Sequence, residues 1–181
     1  MVLVAVGHAD RDDLLAFELE NRAFFEASIK PRAAQYYSQQ GLRQAIGAAI
    51  DDAAAGRGYQ FLVKSGDGDI LGRINLRDVE HGAAVLGYRI GAAHVRQGHA
   101  SAAVRAVLAI AFGDLGLRRI VAGSRATNPG SIAVLLRNGF TRLADQQDTV
   151  MLNGEQHVHW YFERHNEAPH FAPASGISRH P

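Results

Sequence analysis

Met1 to Val6 is a short apolar run closed by Gly7, the pattern of a buried strand. From Asp10 to about Ala27 the period lengthens: acidic residues occupy the first turn, and Leu15, Leu19 and Ala23 recur every four residues, which predicts a helix with that stripe inward. Phe17 and Phe24 form a second stripe, suited to packing on a neighbouring element or to walling a groove. Pro31 interrupts, and a second helix is predicted from about Ser38 to Ala55, stopped by Gly56 and Gly58. Tyr59, Phe61 and Val63 then alternate with polar residues, the turn-forming stretch Ser65 to Asp69 follows, and Ile70, Gly72, Ile74 and Leu76 alternate again, a β-hairpin.

A further strand is expected over Ala84 to Gly91. Beyond it Val104, Val107, Leu108 and Ala111 fall on one helical face, with Gly116 placed to end the helix. Arg118 to Ser124 reads as a short strand. Asn128 and Pro129 stand as N-cap and first residue of a helix whose stripe is Ile132, Leu135 and Leu136, with Gly139 closing it. Phe140 to Arg164 divides into two strands at Asn153 and Gly154. The sum is an α/β (α+β) fold built on a mixed sheet, in one domain over residues 1–166. Residues 167–181 carry Pro169, Pro173 and Gly176 without periodicity and are expected to form a loosely ordered extension.

Composition narrows the chemistry by exclusion. The 181 residues are 47% hydrophobic and 20% charged, the mix of one ordinary core. Nineteen basic against eighteen acidic side chains leave a formal charge of +1, without the surplus that a dedicated nucleic-acid binder needs, so no direct nucleic-acid partner is expected. With no cysteine, disulfides, thiolate metal sites and a cysteine nucleophile are out. The apolar N-terminus is too short for a signal sequence and no stretch is long enough to span a membrane, so a cytoplasmic location is the default expectation and no membrane partner is foreseen.

Two segments carry chemistry. Tyr88 to Ala100, YRIGAAHVRQGHA, runs from a strand through small and basic residues into a helix. The first amides of a helix lack internal partners and the dipole is positive there, so such a junction holds anions; Gly98 and Ala100 would admit a diphosphate to the backbone and Arg96 adds charge. It has neither the glycines of a dinucleotide fingerprint nor a Walker lysine. The second segment is Asn128-Pro129-Gly130-Ser131, with Arg137-Asn138-Gly139-Phe140 after the helix. Asn128 suffices as a cap, whereas Ser131 offers a hydroxyl on the first helical turn. Ser131 is not read as a nucleophile, because the G-x-S-x-G elbow is missing. His157 and His159 share a strand face, but two ligands without a third define no metal site, and none is expected.

In order and spacing, LGYRIG with RQGHA, GLRRI, NPGSIAVLLRNGF and MLNGEQHVHWYF resemble the GNAT superfamily of acetyl-CoA-dependent N-acetyltransferases, within it the Rim-type group that includes the ribosomal-protein-alanine N-acetyltransferases; the resemblance runs from about Glu20 to Glu163. It implies a mostly antiparallel sheet of about seven strands flanked by about four helices, with strands 4 and 5 splayed around the pantetheine arm of acetyl-CoA. The backbone of Ile90 and Gly91 would then bond the arm, the amides of Arg96, Gln97, Gly98, His99 and Ala100 would hold the pyrophosphate, and Asn128 would meet the arm from the other side. Ser131 would give the departing thiolate its proton. Arg105 and Arg137 are candidates for the 3′-phosphate, and Arg118 and Arg119 for solvated edge charges.

The chain departs from the family pattern twice. Val95 stands where relatives carry Gln or Arg, with Arg96 one place late, and Val85 stands where many carry a glutamate base. No replacement is obvious: Asp78, Glu80 and His81 in the preceding loop and Glu26 at the end of the first helix are the candidates for a base, and each reads first as a solvated surface charge. A weak base favours an amine already partly neutral: about a tenth of an α-amine with pKa near 8 at pH 7, against less than about a thousandth of a lysine amine. The expected acceptor is therefore an α-amine, first of all a protein or peptide N-terminus. Alternatives are a small-molecule acetyltransferase acting on an amino acid, polyamine or antibiotic, and a non-catalytic acetyl-CoA sensor. The protein is expected to be a monomer or homodimer.

Overall fold

The structure, a computed structural model, describes residues 1–152 and 154–166. Asn153, where a turn is expected, and residues 167–181, where a loosely ordered extension is expected, lie outside the described residues. Seven strands form one sheet: β1 (Val2–Ala5), β2 (Tyr59–Lys64), β3 (Ile70–Glu80), β4 (Ala83–Ile90), β5 (Arg119–Arg125), β6 (Thr141–Leu152) and β7 (Glu155–His165). Their order is β1-β2-β3-β4-β5-β7-β6. Every neighbouring pair is antiparallel except β4 and β5, which run parallel.

That parallel junction is incomplete. Rungs join Ala83↔Arg119 through Leu86↔Ala122 and then stop. Gly87 to Ile90 remain paired with β3, and Gly123 to Arg125 with β7, so the strands diverge and the sheet opens along its middle. The expected splay of strands 4 and 5 is thus a matter of register.

Helices cover both faces. α4 (His99–Ala109) and α5 (Pro129–Arg137) lie on one. α4 buries Ala103, Val104, Val107 and Leu108, and the buried stripe continues through Ala111 in the π-helical turn Ile110–Asp114. Each fully buried Val or Leu contributes about 1.5–3 kcal/mol, which fixes the helix against Ile74, Leu76, Leu86 and Ile120 of the sheet. The second face carries α1 (Arg11–Glu20), α2 (Arg22–Glu26) and α3 (Gln39–Ala54), with Leu14, Phe17, Phe25, Leu42 and Ile46 packed around Leu62.

Two readings of the pattern are corrected here. The single helix expected over residues 10–27 breaks at Asn21, and its buried face is Leu14, Phe17, Glu18, Asn21 and Phe25; Leu19 and Phe24 are exposed. A carboxylate and an amide occupy the inward face because Glu18 meets Arg73 and Arg89 of the sheet and Asn21 meets the Ala92 N–H of the loop after β4, which hydrophobic periodicity cannot register. In α5 the buried residue is Leu135, while Leu136 is 53% exposed, since the helix meets the sheet along a narrower stripe than expected.

Candidate active site

The loop after β4 begins at Gly91, which is buried so closely against Phe17 and Asn21 that a Cβ would lie 3.0 Å from the phenyl ring. Asn21 fastens it: Oδ1 accepts from Ala92 N–H at 2.8 Å, and Nδ2 donates to the Phe17 carbonyl at 2.9 Å. The break between α1 and α2 therefore places one amide side chain between helix and loop. Arg96 (φ 61°) and Gly98 (φ 83°) both adopt the left-handed conformation, and Gly98 is the N-cap of α4. Glycine takes that conformation freely, and nothing lies within 4 Å of where its Cβ would be. A bare, exposed turn leads into a helix N-terminus, the form that receives a phosphate group. Gln97 is held back by its bond from Nε2 to the Ala93 carbonyl at 2.9 Å, and the His94 and His99 rings meet edge to face. Val95 packs on the main core, so the place where relatives have a polar side chain is turned inward.

Backbone directions assign the edge of β4. Gly91 N–H donates to Leu71 C=O on the β3 side at 2.9 Å, so it is not free for a ligand in the parting, contrary to expectation. Since polar groups alternate along a strand, Tyr88 and Ile90 are the residues that turn theirs toward the gap. Across the gap Asn128 Oδ1 accepts from Ser131 N–H at 3.0 Å, which caps α5. The Ser131 hydroxyl lies 3.0 Å from the Tyr88 hydroxyl. Burial raises the Tyr88 pKa against the opposing bond with Ser131, which keeps the phenol protonated at neutral pH. Either hydroxyl can donate in this pair, and the Tyr88 O–H also reaches the Ser131 carbonyl at 3.2 Å. Sequence spacing did not suggest Tyr88; its offset from Ser131 closes only when β4 and β5 part.

The remaining candidates separate clearly. Asp78, Glu80 and His81 sit around the β3–β4 turn, where Glu80 pairs with Ala83 at the closed end of the β4–β5 junction. Gly87 is four residues away along β4, about 13 Å at strand rise, so these three are not at the opening. Glu26 is engaged by Arg22 Nε at 2.8 Å and accepts from Tyr37 O–H. Val85 faces away from the main core, on the same side as Gly87. Arg119 is not merely solvated, since its Nε donates to Glu163 at 2.8 Å; Arg118 Nη2 donates to the His81 carbonyl. Arg105 and Arg137 are exposed, and Asn138 Nδ2 bonds Ser101 Oγ at 3.1 Å, which brings the end of α5 to the first turn of α4. Among the described residues no three His, Asp or Glu side chains gather in a metal-binding group, and no helix is long and apolar enough to cross a membrane.

Residues 1–141 match the family described as Acetyltransferase (GNAT) domain. The chain belongs to the GNAT acetyltransferases. It is 34% identical over 149 residues to a probable N-acetyltransferase, YjcK, of Bacillus subtilis (strain 168), covering 80% of this chain and 82% of that one. Among solved structures it is similar to the ribosomal-protein-S5-alanine acetyltransferase of Vibrio fischeri (TM-score 0.86, 18% identity, 92% and 93% of the two chains). It is also similar to the ribosomal L7/L12 alpha-N-protein acetyltransferase RimL in complex with coenzyme A (TM-score 0.84, 25% identity, 92% and 94%). Spermidine N-acetyltransferase of Vibrio cholerae, in complex with CoA and spermine, shares the fold at TM-score 0.76 and 19% identity over 91% and 94% of the chains. The GNAT chain described here is accordingly an acetyl-CoA-dependent N-acetyltransferase.

Proposed function

We propose that this GNAT acetyltransferase acetylates an α-amine, first of all the N-terminus of a protein or peptide, as the ribosomal-protein-alanine enzymes do. The observation that carries the reading is the set of residues along the acceptor-facing side of the parting: Val85, Gly87, Val121 and Gly123 supply no carboxylate. Without a carboxylate at that point, an amine that is already partly neutral at pH 7 has the advantage. Similarity to RimL at 25% identity supports the same class.

Acetyl-CoA supplies the acetyl group as an activated thioester. The amides from Arg96 to Ala100 bind its pyrophosphate, with Gly98 leaving room for close approach. Ile90 and Tyr88 offer backbone groups to the pantetheine arm from one side of the gap, and Asn128 stands on the other. Ser131, oriented by Tyr88, protonates the departing thiolate as general acid. A thiol-release assay with acetyl-CoA and peptides that begin with Ala, Ser or Met, a lysine-containing N-blocked peptide, and spermidine tests the reading. Turnover concentrated on the free α-amino peptides is expected; preference for spermidine or for the blocked peptide would overturn it, and no thiol release with any amine would point to a non-catalytic binder.

A further inference from the structure

Gly87 and Gly123 are the first residues of β4 and β5 past the last rung, Leu86↔Ala122. Leu86 and Ala122 point into the main core, so strand alternation turns both glycines to the opposite face, side by side across the opening. Each is covered by a polar side chain from the strand outside it. Asn75 Oδ1 on β3 lies 2.9 Å from where a Gly87 Cβ would stand, and the His159 ring on β7 lies 2.3 Å from the corresponding point of Gly123. Any side chain at position 123 would push that imidazole away.

The covering atoms are unsatisfied. Asn75 Oδ1, His159 Nδ1 and Arg125 Nε, the last on β5 in register with His159, are buried and have no hydrogen-bond partner; they are three of the four such side-chain atoms among the described residues. Folded proteins pair the large majority of such groups. An acceptor on β3, an imidazole on β7 and a donor on β5, all buried and unpaired on the face away from Ser131, are the complement of a ligand with an N–H group next to a carbonyl. A peptide's first residue has that pattern, and a polyamine does not.

We propose that Asn75, His159 and Arg125 form the seat of the acceptor: Asn75 Oδ1 accepts from the amine nitrogen, Arg125 Nε donates to the carbonyl of the first residue, and His159 is the base. The inference rests on the acetyl-transfer reading above and deepens it. As the amine nitrogen attacks the thioester carbonyl carbon, a C–N bond forms and the C–S bond breaks. The displaced N–H proton goes to the imidazole, the Ser131 hydroxyl proton goes to the thiolate, and solvent returns the imidazolium proton to Ser131. The groups facing His159 are Arg125 from β5, Asp148 from β6 and Tyr161 from its own strand, whose ring stands 5.4 Å away and whose hydroxyl donates to Asp148 at 2.7 Å. Burial pushes His159 below its ordinary value, Asp148 opposes that and Arg125 reinforces it, so the ring is neutral at pH 7 and able to accept.

The test uses a hexapeptide with N-terminal alanine and, separately, spermidine. With two groups required neutral, log kcat/KM for the peptide should rise by about two per pH unit below the His159 pKa and by about one between that pKa and about 8. His159→Gln should lower kcat/KM by about 10²-fold, leave a slope of about one throughout, and keep wild-type affinity for acetyl-CoA. Arg125→Gln should lower kcat/KM for the peptide roughly 10-fold more than any kcat/KM for spermidine, because the contact to the first-residue carbonyl is made by the peptide alone. An NMR titration of the His159 ring in the wild-type protein should move on addition of the peptide to the coenzyme A complex, a readout independent of turnover and of variant folding. A ring that does not respond, or a His159→Gln profile that keeps the wild-type rate and slopes, overturns the seat. Should spermidine alone be acetylated, the α-amine reading and the Arg125 assignment fall, while the slope comparison with spermidine still decides whether His159 is the base.

Discussion

Glu18 is completely buried under α1, and its Oε1 serves two cations. Arg73 Nη1 donates to it at 2.7 Å and Arg89 Nη2 donates to the same oxygen, while Tyr36 O–H reaches it at 3.3 Å. One carboxylate thus balances two guanidiniums. The excess charge is met by Tyr36 and Gln60, both 2.6 Å from Arg73, and by the Phe25 ring, whose centroid is 4.6 Å from the Arg89 guanidinium. Glu18→Gln keeps the shape and removes the charge, so both cations stay buried without a counter-ion. Breaking a buried pair in this way costs about 3–5 kcal/mol. At the roughly 2–4 °C per kcal/mol of a chain this size, Tm should fall by roughly 6–20 °C. Circular dichroism melts at constant pH and salt measure it, with the triple variant Glu18→Leu, Arg73→Met, Arg89→Met beside the single one. The triple variant removes all three charges and should melt above Glu18→Gln. A single-variant drop below about 3 °C, or a triple variant that melts lower still, would refute the argument that the unpaired charge sets the cost.

Gly98→Glu should abolish acetyl-CoA binding in a calorimetric titration, because it adds bulk and negative charge at the turn; Gly98→Ala, which suffers only the strain of φ 83° and costs on the order of 1–2 kcal/mol of stability, should still bind. Unchanged affinity in Gly98→Glu would remove the pyrophosphate assignment. Ser131→Ala should lower kcat by about 10²-fold or more with acetyl-CoA affinity near wild type, and Tyr88→Phe should show a smaller loss of the same kind; full turnover in Ser131→Ala would leave the serine only its place in the helix. Val85→Glu puts a carboxylate on the Gly87 face and should shift the acid limb of the kcat/KM profile to lower pH, whereas an unmoved limb would mean that position 85 does not reach the amine.

The sheet and its helices were legible because their periods are clean: the α4 stripe of Val104, Val107, Leu108 and Ala111 is buried as the pattern requires. The first helix was not, because its inward face includes Glu18 and Asn21, whose burial depends on Arg73, Arg89 and Ala92, distant in sequence and adjacent only in the fold. The site divides in the same way. The turn before α4 and the Ser131 helix are contiguous segments and can be read directly. Asp78, Glu80 and His81 looked near the opening because they precede β4, but a strand has two ends and they are at the closed one. His159 stood out only as a neighbour of His157, and what distinguishes it is Gly123, thirty-six residues earlier, which alone leaves room for its ring.

A sheet whose fourth and fifth strands stop pairing after Leu86↔Ala122 leaves two strand edges facing each other beyond that rung. Whatever bridges those edges binds the folded chain and not the unfolded one, so occupancy becomes protection by mass action: about 2.7 kcal/mol when free coenzyme is a hundred times its dissociation constant. The apparent melting point of this enzyme is then a gauge of the coenzyme concentration around it. On the coenzyme placement proposed above, a shortage of acetyl-CoA and coenzyme A removes a substrate and a structural brace together, and the opened strands are expected to be the first place where amides exchange with solvent.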